Sequence, residues 1–220
     1  VTGEYNTGVV FIFEFDGARW NPTVELLPAL SGLRRFGDGL ALDGDLLLIG
    51  SPNYSDGWAA SGIVFAYRRQ GTDWIRLNDL KASGLSQSRY FGRELDIDGT
   101  TALVGGNGEV WHFEFIDSEW TRIGRLRSAA HPDEWLGAIA LDDARAIVGA
   151  AGSDLAGTDS GAAFLFERTD AGWVDTATLL PDAAPWQSFG ASVDLDGDWA
   201  LVGAPRDDSN AFNAGSVSVY

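Results

Sequence analysis

Short stretches of alternating apolar and polar residues recur along the chain, and each is followed by a continuous apolar run. The last copy begins with Phe189, alternates to Asp196, and continues after an Asp-Gly turn into the apolar run 199–204. Alternation of this kind is typical of a half-buried strand, and a tight Asp-Gly turn joins two strands into a hairpin. No segment has the period of a long amphipathic helix. The pattern therefore predicts antiparallel strand pairs.

Three landmarks repeat at intervals of roughly 45 to 55 residues, which is the spacing of a blade-like repeat. An aromatic residue opens each alternating stretch, a glycine closes each apolar run, and a tryptophan starts the last strand of each unit. These landmarks are Phe36, Phe91, Trp135 and Phe189; Gly50, Gly105, Gly149 and Gly203; and Trp20, Trp74, Trp120 and Trp173. Each unit reads as four strands, here named A, B, C and D. Repeated four-stranded antiparallel units predict an all-β fold, a β-propeller.

The order of these motifs resembles the FG-GAP repeat family, in the form found in large secreted bacterial proteins. The resemblance covers essentially the whole chain. Its last copy is carried by Gly161–Phe166, Trp173, Leu179–Pro181, Phe189-Gly190 and Leu201–Pro205. The same repeat builds the seven-bladed head of integrin α subunits. The resemblance therefore implies an extracytoplasmic module for recognition or adhesion, whether secreted, periplasmic or at the cell surface.

The chain departs from the family pattern at two points. The third copy has Trp135-Leu136 where the others have Phe-Gly, and we expect Trp135 to take the core position of the missing phenylalanine. The A–B turns are also shorter than the acidic calcium loop of integrin-type blades, and they supply too few oxygens for calcium. We expect the remaining tryptophans of the repeat, together with Trp111 and Trp199, to be packing residues.

The repeat units divide one domain, 1–220, unevenly. They run approximately over 1–35 (partial), 36–90, 91–134, 135–188 and 189–220 (partial). This gives one C strand more than a closed four-bladed ring needs. The chain is therefore part of a larger ring, for example a seven-bladed one, or a four-bladed ring in which residues 8–15 and 215–220 compete for one position, or half of a ring completed by a second chain. We expect another chain or segment to complete the propeller.

Charge and composition exclude several functions. The chain has 15 Lys and Arg against 32 Asp and Glu, and its net charge of −17 repels nucleic acid and anionic lipid. It has no cysteine, and no apolar stretch is long enough to span a membrane. His112 and His131 stand in no catalytic motif, so we expect no enzyme activity. A carboxylate pair of the glycosidase kind depends on a spatial separation that a sequence does not give.

The B–C and D–A loops are long, lie at the same end of the blades, and form the predicted binding surface. We expect a protein or a carbohydrate ligand there. The candidate contacts are Tyr54, Trp58, Trp186, Phe212, Asp56, Asp207 and Asp208. The alternative is that the aromatic residues fold back over the ring and that the acids only hydrate the surface. No cofactor is expected, and calcium at Asp154, Asp207 and Asp208 is the weaker alternative.

A second functional hypothesis rests on the outer strand of one blade. Arg122, Arg125 and Arg127 lie on strand D of the second full unit, where charges protect an exposed sheet edge. In an acidic protein the same arginines could dock an acidic partner. The chain would then be a structural subunit of a larger extracytoplasmic assembly that docks through its blade edges.

Overall fold

The regular secondary structure of the described residues consists of β-strands joined by turns and loops. The computed structural model describes residues 7–28, 35–55, 61–82, 90–106, 108–132, 134–182, 185–209 and 211–220. Within these ranges every regular element is a strand, and the strands form five antiparallel sheets. The prediction of an all-β fold is confirmed. None of the described residues lies in a helix with the length and apolarity needed to cross a bilayer.

The five sheets are blades, numbered 1 to 5 along the chain. Blade 1 contains β1 (Val10–Phe15) and β2 (Trp20–Leu26). Blade 2 contains β3 (Leu40–Asp43), β4 (Leu46–Ser51), β5 (Ile63–Gln70) and β6 (Asp73–Arg76). Blade 3 contains β7 (Leu95–Asp98), β8 (Thr101–Gly106), β9 (Glu109–Ile116) and β10 (Glu119–Leu126). Blade 4 contains β11 (Ile139–Asp142), β12 (Arg145–Ala150), β13 (Ala162–Thr169) and β14 (Gly172–Leu179), and blade 5 contains β15 (Ser192–Asp196), β16 (Trp199–Ala204) and β17 (Ser216–Val219).

The strands follow the predicted A-B-C-D order. Blades 2, 3 and 4 have all four strands, blade 1 has only C and D, and blade 5 has only A, B and C. The A strands β3, β7, β11 and β15 are neighbours in chain order, as in the inner ring of a β-propeller. The chain therefore builds four antiparallel repeats of a β-propeller. The two incomplete sheets are not hydrogen-bonded to each other within the described ranges.

Four hydrophobic clusters hold the blades together, and each lies between two consecutive blades. Between blades 1 and 2, for example, Val10 packs with Ile49 and Phe65. Between blades 2 and 3, Leu48 packs with Trp111. Strand B is mostly apolar because neighbouring blades cover both of its faces in blades 2 and 3, where every residue of β4 and β8 is buried. This packing explains the continuous apolar run in each repeat.

The glycines of the repeat mark the places where two blades come closest. A Cβ on Gly50 would lie 1.8 Å from the carbonyl oxygen of Gly92, and a Cβ on Gly149 would lie 1.9 Å from that of Gly190. No side chain fits at these distances because it would collide with backbone. Phe-Gly at the start of strand A and the glycine at the end of strand B are therefore two halves of one contact between consecutive blades.

In the third repeat the residues that take the place of Phe-Gly stand one position later than an alignment on Trp135 predicts. Leu136 is buried and bridges to Gly108, as the phenylalanines of blades 3 and 5 bridge to their own partners. Gly137 then takes the glycine position, and its N–H donates to the oxygen of Gly149 at 2.7 Å. Trp135 is 64% exposed and lies over Gly108. The prediction that Trp135 is a core residue is wrong, because the leucine fills its place.

The outward faces of the first and last sheets carry exposed apolar side chains. The front end face consists of Phe11, Phe13, Phe15 and Trp20, and the back end face consists of Trp199, Leu201, Val217 and Val219. Trp20 and Trp199 were expected in the core, and both expectations are wrong, since no blade of the described chain covers these faces. By contrast, Trp74, Trp120 and Trp173 pack against the preceding blade as predicted.

Candidate functional site

The long-loop face is the end of the blades that carries the B–C and D–A loops. Its B–C loops share one hydrogen-bonded shape. In blade 4 the N–H of Gly161 donates to the oxygen of Ser153 at 2.9 Å, and in blade 5 the N–H of Gly215 donates to the oxygen of Asp207 at 3.0 Å. The oxygen of Tyr54 accepts the corresponding bond in blade 2. Each of these three B–C loops is therefore closed on itself by its own backbone.

Two of the predicted acids stabilise these loops from within. The carboxylate of Asp154 accepts the N–H of Asp159 at 2.7 Å. One blade further on, Asp208 accepts the N–H of Asn213 in the same way. Asp159 and Asn213 both have positive φ, a conformation that Asp and Asn tolerate better than most residues. The two carboxylates thus hold a turn in place inside each loop.

Asp207 connects two loops of the long-loop face. Its carboxylate accepts the hydroxyl and the N–H of Ser209, and the side-chain amide of Gln187 donates to the same oxygen at 3.4 Å. Hydrogen bonds from the hydroxyl of Ser209 and, to a smaller extent, from the hydroxyl of Ser216 hold the pKa of Asp207 below its ordinary value. Asp207 is therefore an anion held by the protein's own donors.

The acidic residues do not assemble into a metal site. In the part of the chain that the structure describes, no group of three or more His, Asp or Glu side chains is placed to hold a metal ion. The calcium candidates Asp154, Asp207 and Asp208 are engaged with loop groups of their own blades. The structure does not bring them together as a ligand set.

Exposed aromatic side chains project from the long-loop face. Trp186 is 55% exposed and Phe212 is 86% exposed, and Trp135 joins them because Leu136 has taken its core position. The N–H of Trp186 donates to the oxygen of Thr158 at 2.8 Å, so the D–A loop after blade 4 is tied to the B–C loop of that blade. The face thus presents apolar rings on hydrogen-bonded loops.

The other predicted aromatic contacts are placed differently. Tyr54 is half-buried and packs against the cluster between blades 1 and 2, so its ring contributes to the contact between blades. Trp58 and Asp56 lie outside the described residues. Trp135 was missed as a surface residue, although the glycine of Leu136-Gly137 gave a usable signal. An alignment made on the glycine would have placed the tryptophan outside the core.

The three predicted docking arginines lie at strand D of blade 3, as expected. Arg125 forms an ion pair with Glu109 of the adjacent strand, and Arg122 and Arg127 are exposed. A small cavity of about 30 Å³ lies beside this edge, with Arg125, Arg127 and His131 among its lining residues. The edge is charged and exposed, which fits the protection of a sheet edge against pairing.

A buried polar cluster lies between blades 3 and 4, away from both predicted surfaces. Nε2 of His112 is 2.6 Å from Oε1 of Glu114, and Arg168 of blade 4 reaches the same oxygen at 2.8 Å. Thr101 donates its hydroxyl to this carboxylate at 3.1 Å. Burial lowers the pKa of His112, which favours the neutral imidazole. The cluster joins two blades, since the carboxylate of one meets the guanidinium of the next.

Comparisons with known proteins agree with this architecture. Residues 173–220, which include strand D of blade 4 and the whole of blade 5, match the family model of the FG-GAP repeat. None of the curated proteins matches the chain in sequence. The crystal structure of a protein from Lactobacillus plantarum is similar, with a TM-score of 0.54 and 15% identity over 90% of this chain. This chain spans 59% of the length of that protein. The predicted resemblance is thus confirmed for residues 173–220, which match the FG-GAP repeat.

Proposed function

We propose that the chain is a non-enzymatic recognition module that works outside the cytoplasm and binds a protein or a carbohydrate through its long-loop face. The observation that carries this proposal is the exposure of Trp186, Phe212 and Trp135 on one face. The loop of Phe212 is closed by its own backbone hydrogen bond, and the backbone of Trp186 is hydrogen-bonded to the B–C loop of blade 4. The FG-GAP repeat of residues 173–220 supports the extracytoplasmic role, and the resemblance noted above extends it to adhesion.

Aromatic rings on ordered loops are efficient binding groups. A large aromatic side chain buries about 150–250 Å² on contact, and few of its torsions must be fixed to do so. The neighbouring carboxylates of Asp154, Asp207 and Asp208 are held by loop donors. The aromatic residues therefore supply the contact area, and the acids preserve the shape that presents it.

The double variant Trp186→Ala with Phe212→Ala tests this role. The purified chain is applied to an oligosaccharide array and to a phage library of random peptides. We expect the wild-type chain to select ligands from one of the two, and we expect the double variant to lose at least about tenfold in affinity, since each ring removes a large apolar contact.

Trp199→Ala is the matched control for this experiment. Trp199 is 65% exposed and begins strand B just after an A–B turn, at the opposite end of the blade. Its replacement should leave ligand capture unchanged. Failure of the wild-type chain to select any ligand, or undiminished binding by the double variant, contradicts the proposed role of the long-loop face.

We also propose a second role, as a structural subunit of a larger extracytoplasmic assembly, because the two end faces favour it. Phe13 and Trp20 at the front and Val217 and Val219 at the back are exposed apolar residues, and exposed apolar patches of this kind mark contact surfaces. The end faces carry this proposal better than Arg125, whose charge is already paired with Glu109.

Sedimentation velocity over a concentration series tests the assembly role. We expect the chain to associate as its concentration rises, and we expect Phe13→Glu with Val219→Glu to keep it as a single species. The pair Arg125→Glu with Arg127→Glu, on the edge of blade 3, should associate as the wild type does. A wild-type chain that never associates, alone or with extracytoplasmic proteins of its source, contradicts this role.

A further inference from the structure

The B–C loop of blade 3 is much shorter than those of blades 2, 4 and 5. It contains two residues, 107–108, whereas the other three loops contain eleven residues each, at 52–62, 151–161 and 205–215. Blade 3 thus lacks nine loop residues at this end of its strands. The long-loop face has an indentation there, bordered by Glu109, Arg125 and Arg127, which we call the notch.

A polar cavity of about 30 Å³ lies in the notch. Glu109 and Arg125 line it from blade 3, and Arg127, His131 and Glu134 line it from the D–A loop that leads to blade 4. A space of this size admits one small polar group, such as a water molecule or a carboxylate. Its walls offer both hydrogen-bond donors and hydrogen-bond acceptors.

The D–A loop that forms one wall of the notch is fixed to blade 4. The hydroxyl of Ser128 and the N–H of Ala129 donate to the carboxylate of Asp175, at 2.9 and 3.2 Å. The N–H of His131 donates to the hydroxyl oxygen of Ser128 at 3.1 Å. The His131 ring also packs against Phe164, with ring centroids 5.9 Å apart. The wall is therefore ordered before any ligand arrives, which lowers the entropic cost of binding.

An exposed indole stands beside the cavity. Trp135 is 64% exposed, and its chain neighbours Glu134 and Leu136 both line the cavity. A Cβ on Gly108 would lie 2.5 Å from Cδ2 of the indole, so the ring can rest there only because Gly108 has no side chain. The remaining surface of the ring is open to solvent. The notch thus joins an apolar platform to a small polar cavity, as small-molecule sites commonly do.

The charges of the notch restrict the ligand. Arg125 is paired with Glu109, whereas Arg127 is exposed and forms no ion pair with any residue that the structure describes. A guanidinium group binds a carboxylate through two parallel hydrogen bonds. The carboxylates of Glu109 and Glu134 accept hydrogen bonds from hydroxyls and repel further anions. A ligand that suits all these groups has one carboxylate, several hydroxyls and an apolar face.

We propose that the notch binds a uronic acid residue of an acidic polysaccharide. The apolar face of the sugar ring lies on Trp135, its carboxylate accepts hydrogen bonds from Arg127, and its hydroxyls donate to Glu109 and Glu134. A run of acidic residues in a peptide fits less well, because it brings further carboxylates toward these two glutamates and no hydroxyls. The inference rests on the binding role proposed for the long-loop face and names the class of carbohydrate that this face binds.

Isothermal titration calorimetry with two acidic oligosaccharides tests the notch. The probes are tetragalacturonate and a hyaluronan tetrasaccharide, which present galacturonate and glucuronate. We expect saturable binding of at least one of them. The methyl ester of the bound oligosaccharide should bind at least about tenfold more weakly, since esterification removes the negative charge and keeps the ring and its hydroxyls.

Two variants of the chain test the residues of the notch. Trp135→Ala removes the platform and Arg127→Gln removes the charge, and each should weaken binding of the oligosaccharide by about tenfold or more. The urea midpoint of Trp135→Ala shows that the fold is kept. Arg19→Gln is the matched control for charge, because Arg19 lies in the C–D turn of blade 1, at the opposite end of the blades, and its side chain is 79% exposed. This control should bind as the wild type does.

Three results overturn the inference: no saturable binding of either oligosaccharide, equal binding of the acid and its methyl ester, or undiminished binding by a folded Trp135→Ala variant. Binding of a tetra-aspartate peptide through Arg127, without binding of either oligosaccharide, overturns the sugar as the ligand of the notch.

The same titrations separate the notch from the rest of the long-loop face. Uronate binding that the double variant Trp186→Ala with Phe212→Ala retains, in a chain whose other ligands are also captured undiminished, supports the notch and contradicts the role of those two rings alone. Ligand capture that depends on Trp186 and Phe212, without binding of either oligosaccharide, overturns the notch alone.

Discussion

The acids at the ends of the A strands act as connections between blades. The carboxylate of Asp43 accepts the turn N–H of Gly99 in the next blade at 2.7 Å, and Asp142 accepts that of Gly197 at 2.9 Å. Asp98 makes the same bond to the turn of blade 4. Hydrogen bonds from backbone to an ionised carboxylate are stronger than neutral ones. The Asp-Gly turns thus close hairpins and also fix the distance between neighbouring blades.

Asp96 is an inner-strand acid whose surroundings oppose its charge. Its carboxylate accepts the N–H of Leu141 at 2.7 Å and the N–H of Ile97 at 2.9 Å. Burial raises its pKa above the ordinary value for an aspartate, and the negative charges of Asp194 and Asp98 raise it further. The hydrogen bonds therefore compensate only part of the cost of burying this charge.

We predict that Asp96→Asn increases the free energy of unfolding at neutral pH. The raised pKa means that the folded state binds more protons than the unfolded state between the two pKa values, so the wild type gains stability as pH falls through the folded value. Asparagine does not titrate, and it keeps an oxygen for the N–H of Leu141. The difference between variant and wild type should therefore be largest at neutral pH and should shrink on acidification.

Urea unfolding at a series of pH values measures this difference. Asp45→Asn, in an exposed A–B turn, is the control. The difference between its free energy of unfolding and that of the wild type should not shrink on acidification as it does for Asp96→Asn. An advantage of Asp96→Asn that grows as pH falls would contradict the assignment of a raised pKa to Asp96.

At the scale of the strand, a glycine decides whether two blades fit together. Gly149→Ala should destabilise the protein by about 3 kcal/mol, the upper part of the range for overpacked sites. The reason is that its Cβ would lie 1.9 Å from the carbonyl oxygen of Gly190. Gly124→Ala in β10 is the matched control, because a Cβ there meets nothing within 4 Å. Urea unfolding measures both variants, and equal stability of the two would contradict the close contact.

Strands and their order could be predicted because their causes lie within a few residues. Alternation, Asp-Gly turns and apolar runs are local patterns, and the structure follows them from β3 to β17. The third repeat shows where this method fails. The alignment matched Trp135 to phenylalanine because both are aromatic. The contact between consecutive blades instead requires a buried apolar residue followed by a glycine, and Leu136-Gly137 supplies both.

The candidate site could be predicted only in part, because exposure depends on which blades are neighbours. Trp20 and Trp173 begin equivalent strands, yet Trp20 is 68% exposed and Trp173 packs against blade 3. No local pattern separates them. The long-loop face could be located from loop lengths, but the use of Asp154 and Asp208 inside their own loops depends on hydrogen bonds that no spacing rule gives.

At the scale of the whole molecule, the described blades form a row in which each hydrophobic cluster joins two consecutive blades. Such a row is stabilised by a sum of contacts between adjacent units, so its terminal units are the least stable. Blade 3 has a hydrophobic cluster on each side, whereas blades 1 and 5 each have one. Stability should therefore decrease from the middle of the row toward both end faces.

Amide hydrogen exchange should show this gradient and also reveal what covers the end faces. We expect the greatest protection in β8 and β12, which are buried between blades, and the least in β2 and β17 at the two ends. If the end faces bind other blades, protection of β1 and β17 should rise with protein concentration while that of β8 stays constant. Protection of β17 that equals that of β8 in dilute solution would contradict the gradient. If the end strands never gain protection as the concentration rises, the end faces do not bind a second copy of this chain. The assembly role would then require a different protein as the partner.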